Sequence, residues 1–385
     1  MNLPTPAERL RYFQKQQKQV LDTIQQLVEI ESPSDVKAAV DRLGTVVASR
    51  FGELGGKVQV HHADKFGNHL EIRFASRARG TKPVLLLGHM DTVYPIGTIS
   101  KMPFRVVKGR VRGPGVLDMK GGIALALQGI EAMLAWFDGK LSRPMTVLLV
   151  SDEEVGSQSS RAITEKLARE SAAVLVLEPA AGSHGAVKTS RKGVGDYELL
   201  VRGEAAHAGL DFEKGQSAVL ELAHQILEIP NLVDLQRGLT LNVGKISGGT
   251  RVNVVPAEAK ASIDVRIARK EDAAEIDRRL RALKPVNPKC RIEIRGGINR
   301  PPMERTPGVA VLYEKAVDVA HKLGWKLEEA AVGGGSDGNF TAALGIPTLD
   351  GLGAVGEGAH AEHESILVSE LPRRAALLAG LIMSL

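Results

Sequence analysis

The chain holds a single cysteine, Cys290, among 385 residues. An internal disulfide is therefore excluded and a thiolate metal site is not indicated, so any metal must be held by histidine and carboxylate groups. Aromatic residues are also scarce, at 4%, with four Tyr and two Trp. Without a basic cluster to accompany them, they offer nucleic acid neither a stacking platform nor a phosphate stripe. Charge is nearly balanced: 50 Lys and Arg face 45 Asp and Glu, and the net +5 is spread along the chain. Nowhere do about 18 uncharged apolar residues follow one another, and the segment MNLPTPAERLRYFQKQQKQVL is polar with no apolar stretch. The expectation is a cytoplasmic chain with neither a membrane nor a nucleic acid as partner. What is present is 43% hydrophobic residues, enough for a full core, over a length that suits two domains.

The first half of the chain alternates helical and strand patterns, the rhythm of an α/β domain. Residues 7–30 and 36–54 read as helices, and VQVHHA and HLEIRFA as strands. VLLLGHMDTV reads as a buried strand broken at Gly88, followed by a helix over 121–136. MTVLLVSDEEVG and AAVLVLEP read as two further buried strands. From Lys192 the order becomes strand, helix, two strands, helix, strand, which is a ferredoxin-like α+β unit. The expected organisation is a catalytic domain over 1–191 and 303–385, with a mixed central sheet, interrupted by an inserted domain over 192–302. A helix starting near Gly308 and a last helix over ELPRRAALLAGLIMSL complete it.

Polar residues sit where the buried segments end: His89 and Asp91 in GHMDTV, Asp118 in GVLDMKGG, Glu153 and Glu154 in SDEEVG, Glu178 in LEP and His360 in GAHAEHE. Imidazoles and carboxylates of this kind are what a pair of zinc ions requires. Asp118, flanked by Gly113, Gly115, Gly121 and Gly122, is placed to bridge two ions with its two oxygens. Asp91 is placed to orient the His89 ring. Of the adjacent Glu153 and Glu154, one can coordinate while the other takes a proton from water. Singly, each of these residues is more often a turn or surface group than a ligand. Their recurrence at consecutive strand ends favours the chemical reading.

In this order, and with an inserted domain, the five motifs resemble those of the dizinc exopeptidases, a family that includes aminoacylase, acetylornithine deacetylase, succinyl-diaminopimelate desuccinylase and glutamate carboxypeptidase. The resemblance implies a zinc-exopeptidase catalytic domain with a lid and dimerisation domain inserted in it. It implies one zinc on His89 and Glu178, the other on Glu154 and His360, and Asp118 shared. Asp91 would support His89, and Glu153 would serve as general base and acid. His360 fits the family register with Gly358 and Glu364, whereas His363 does not. In the insert, His207 in GEAAHAGL resembles the imidazole that stabilises the oxyanion. Asn253 and Arg266 match substrate-holding positions, and Arg300 more loosely a carboxylate-facing arginine, for which a solvated surface arginine is the alternative. A homodimer through the insert is also implied.

Glu178, where several relatives carry Asp, together with the closing LPRRAALLAGLIMSL, looks closest to glutamate carboxypeptidases, which act on peptides or folate-like conjugates. The alternatives are an N-acyl amino acid deacylase with the same zinc chemistry and, from another class, a non-catalytic metal-binding protein. Cobalt or manganese could take the place of zinc. GGGSDG at 333–338 matches G-x-G-x-x-G, but it follows KLEEAAV, which does not read as a strand. It is expected to be a tight loop before a helix rather than a dinucleotide site.

Overall fold

Leu85, Leu86 and Leu87 point alternately to the two faces of a strand, so an unbroken apolar run of this kind asks for cover on both sides. In the computed structural model, which describes residues 3–78 and 80–385, that strand is Val84–His89, inside a six-stranded sheet. The order is Lys57–His61, His69–Phe74, Met145–Val150, Val84–His89, Ala173–Val176 and Thr348–Leu349. The last four strands run parallel and the first two pair antiparallel, which gives the expected mixed sheet. Leu86 packs into a core shared with helices Gly121–Trp136 and Leu371–Ser384, while Leu85 and Leu87 pack into one shared with helix Arg161–Glu170. Each such leucine contributes roughly 1.5–3 kcal/mol by leaving water.

Because three central strands are parallel, their carboxyl ends fall on one edge of the sheet, where ligands of open α/β sheets collect. The Val84–His89 strand runs through Gly88 without breaking and delivers His89 as its last residue. The expected helix over 7–30 is two helices, Pro6–Lys15 and Gln17–Val28, interrupted at Gln16. The break accompanies edge-to-face packing of Tyr12 and Phe13 on Trp136, at 5.6 and 5.8 Å. Contrary to the reading of KLEEAAV, Glu329–Val332 is a strand. It belongs to a two-stranded sheet, where no apolar face is required. Among the described residues, no helix is long and apolar enough to cross a membrane.

The chain divides into two compact units. One holds the chain up to Ser190, Arg305–Val332 and Ser336–Leu385; the other holds Arg191–Glu304 and Gly333–Gly335. In the second, strands Thr240–Gly248, Glu258–Ile267, Gly193–Arg202 and Arg291–Arg300 form an antiparallel sheet in that order, with helices Ala218–Glu228 and Asp272–Arg281 packed on its apolar face. Gly333–Gly335 joins this unit, where the Arg191 guanidinium donates to the carbonyls of Gly334 and Gly335 at 3.1 Å each.

In the first unit, Arg374 is 3% exposed and is held by carbonyls rather than carboxylates. It donates to Gly353 at 2.8 Å, to Gly185 at 2.9 Å and to Gly351. Burial pulls its pKa down to about 10, so it stays cationic near neutrality. Arg374→Met orphans three buried carbonyls and should lower unfolding free energy by about 3 kcal/mol. Urea denaturation followed by circular dichroism measures this, and an unshifted midpoint would contradict it.

Candidate metal centre

His89 is 2% exposed, with its two ring nitrogens facing different partners. Nδ1 lies 2.9 Å from the Asp91 carbonyl and 3.5 Å from Asp91 Oδ1. Nε2 lies 3.1 Å from Asp118 Oδ1 and 3.4 Å from Glu178 Oε1. A proton on Nδ1, donated to Asp91, leaves the Nε2 lone pair for a metal. The backbone carbonyl of Asp91 is thus a nearer partner of the ring than the carboxylate expected to orient it. The Asp91 carboxylate accepts from Ser34 Oγ at 2.7 Å and from the N–H groups of Glu153 and Glu154 at 3.3 and 3.2 Å. One residue therefore sets both the imidazole and the turn Glu153–Val155 that carries the two glutamates.

Asp118 follows a left-handed turn at Gly115, where φ is +70° and a side chain would be strained. Close packing behind it depends on Gly122, at which an added Cβ would collide with the Leu177 carbonyl. His360 itself adopts φ 65°, rare for a residue with a side chain, between strands Gly356–Glu357 and Ser365–Leu367. Its Nε2 lies 3.4 Å from Asp118 Oδ2 and 3.2 Å from Glu154 Oε2. The two oxygens of Asp118 thus face one histidine each. The structure brings together His89, Asp118 and Glu178 as one group, and Asp118, Glu154 and His360 as another, with the potential ligand atoms of each group within 4.8 Å of one another. His363 belongs to neither group.

The donor set fits divalent cations. Three largely buried carboxylates are brought against two imidazoles, of which His360 is half exposed, and Glu154 Oε1 is buried with no hydrogen-bond partner. The electrostatics agree. Burial opposes a charge on His89, but Asp118, Asp91 and Glu178 outweigh it and push its pKa well up. Asp118 and Glu154 lift His360 to about 10. Burial works against ionisation of Asp118 as well, but the two imidazoles hold it well below the usual carboxylate range. Burial raises Glu154. Protonated imidazoles thus play the part of cations here, and a metal would have to displace the protons on Nε2.

The remaining predicted residues lie in the second unit. His207 is exposed, and its Nδ1 accepts from the N–H groups of Gly209 and Leu210 at 3.1 and 3.2 Å. The neutral ring therefore carries its proton on Nε2. Asn253 is exposed, and its carbonyl accepts from Ala208 at 3.0 Å. Arg266 is engaged by Asp264 on its own strand, at 2.7–3.1 Å. Arg300, at the end of strand Arg291–Arg300, is 7% exposed and so is not a solvated surface arginine. Ser34 was missed by sequence reasoning; a serine in SPSD looks like any turn residue.

Residues 85–384 match the family described as Peptidase family M20/M25/M40. The chain is 32% identical over 374 residues to carboxypeptidase G2 of Pseudomonas sp. (strain RS-16), covering 96% of this chain and 90% of that one. Among solved structures it resembles aminopeptidase PepT from Bacillus cereus ATCC 10987, with a TM-score of 0.80 at 24% identity over 96% and 98% of the two chains. It also resembles an M20 family metallo-carboxypeptidase from Sulfolobus solfataricus, with a TM-score of 0.76 at 18% identity over 94% and 98%. These structural likenesses establish the fold.

The geometry separates the two C-terminal histidines. His360→Ala should lower the metal content of the purified protein, while His363→Ala should leave it at the wild-type level. Metal analysis of both variants checks this, and the reverse pattern would overturn the choice of His360.

Proposed function

Since the chain belongs to peptidase family M20/M25/M40, whose members are metal-dependent hydrolases, we propose that it is a two-zinc exopeptidase releasing a C-terminal glutamate or similar amino acid from peptides or folate-like conjugates. The observation that carries this reading is the 32% identity to a carboxypeptidase along 96% of the chain. Glu178 in the fourth motif supports it.

His89 and Glu178 would hold one ion, Glu154 and His360 the other, and Asp118 both. Once bound, the pair supplies Lewis acidity that polarises the scissile carbonyl and makes water more acidic. The Glu153 carboxylate takes the proton of the attacking water and returns it to the leaving nitrogen. Asp91 serves this step by anchoring the Glu153 N–H at 3.3 Å. By the resemblance, His207 donates from Nε2 to the oxyanion, Asn253 holds the substrate, and Arg266 and Arg300 receive its carboxylate. The resemblance also makes the inserted domain, residues 192–302, a lid and the surface of a homodimer. Strand Thr240–Gly248 at the edge of its sheet, with Ile246 68% exposed, supports that use.

Glu153→Ala should keep its metal and lose on the order of 10²-fold or more in turnover; full turnover in that variant would end the assignment of Glu153. With the wild-type protein, glutamate should be released from a folyl or peptidyl conjugate faster than acetate from N-acetyl amino acids. Faster acetate release would replace the carboxypeptidase reading with a deacylase one.

A further inference from the structure

Glu364 is wholly buried and makes contacts that no motif role explains. Its Oε1 accepts the N–H groups of Leu117 and Asp118 at 2.7 and 2.9 Å, and its Oε2 accepts that of Gly115 at 2.8 Å. Three backbone donors from one short segment converge on a single carboxylate, an arrangement that suits an anion acting only as an acceptor. The backbone of Glu364 also takes part: its N–H donates to the Ala361 carbonyl at 3.0 Å and closes the turn that holds His360. The same carbonyl accepts Tyr94 Oη at 2.9 Å. Tyr94 lies three residues beyond Asp91, on the loop that leaves the His89 strand. Segments 89–94, 115–118 and 358–364, which bear His89, Asp118 and His360, are therefore laced together at Glu364 and Ala361.

We propose that Glu364 and Tyr94 are positioning residues for the metal pair, Glu364 setting the backbone from which Asp118 bridges and Tyr94 tying down the turn that presents His360. The inference rests on the metal-centre reading above. A bridging carboxylate must keep one oxygen on each side, and small displacements of its backbone are felt at both ions. A glutamine at 364 keeps the shape but turns an amide N–H₂ against at least one of the three backbone donors. Phenylalanine at 94 removes only the hydroxyl.

The test strips the full-length wild type, Glu364→Gln and Tyr94→Phe of metal, then titrates each with Zn(II) against a chelator and with Co(II) while recording visible absorption. Circular dichroism accompanies each sample. Because Asp118 is shared, Glu364→Gln should weaken both ions by about 10–100-fold and change the Co(II) spectrum. Tyr94→Phe should weaken the ion at His360 by about tenfold and the other ion by less, since the hydroxyl also faces the Glu364 carboxylate. A purely packing role would lower thermal stability while leaving affinities and spectrum unchanged, and that result in variants of a two-ion wild type overturns this inference alone. A wild type that takes up no metal overturns the metal-centre reading and this inference with it. If Glu364→Gln does not fold, the Tyr94→Phe titration decides.

Discussion

Asp118, Glu154 and Glu178 bring three carboxylates against two imidazoles at the edge of a sheet, with side chains only 14%, 7% and 9% exposed. Water screens such a concentration of negative charge poorly, so positive charge must be supplied within a few ångströms. Protonated histidines do this in part, as the upward shifts of His89 and His360 indicate. A pair of divalent cations would do it more fully, and because the two Asp118 oxygens face one ring each, each cation would have one of them within reach. Much of the surrounding structure holds these charges where they would otherwise separate.

The sheet does most of that work. Apolar runs buried on both faces lock three parallel strands in register, and apart from Thr146 their polar groups lie at the last residue, His89, or in the turns beyond. A slip of one residue would put a side chain where Gly88 leaves room for Met119 and Leu149, so close packing in the core holds the position of His89. Asp91 then links the His89 strand to the glutamate turn, and Glu364 links the Asp118 segment to the His360 turn. Backbone groups serve as donors in both links, which makes the geometry insensitive to most side-chain changes nearby.

Much of this was legible before any coordinates. Strand ends carrying His89, Glu153, Glu154 and Glu178 stand out because apolar runs stop abruptly at polar residues, a local pattern. The ferredoxin-like insert was readable for the same reason, as alternation of period two gives way to helical periodicity. The links were not legible. Glu364 and Gly115 are 249 residues apart, and Ser34 and Asp91 are 57 apart. Periodicity carries no information about such pairs. The interruption at Gln16 has neither glycine nor proline to mark it, and the short charged strand Glu329–Val332 lacks the apolar alternation by which strands are read. The sequence leaves Arg300 between a site residue and a surface one, because burial of a lone arginine depends on what packs over it.

If Asp118 is shared by two ions, anomalous scattering recorded at the zinc edge from crystals of the zinc-loaded protein should show two peaks, one among His89, Asp118 and Glu178 and the other among Asp118, Glu154 and His360. A single peak, or two peaks of which only one lies against Asp118, would contradict that sharing.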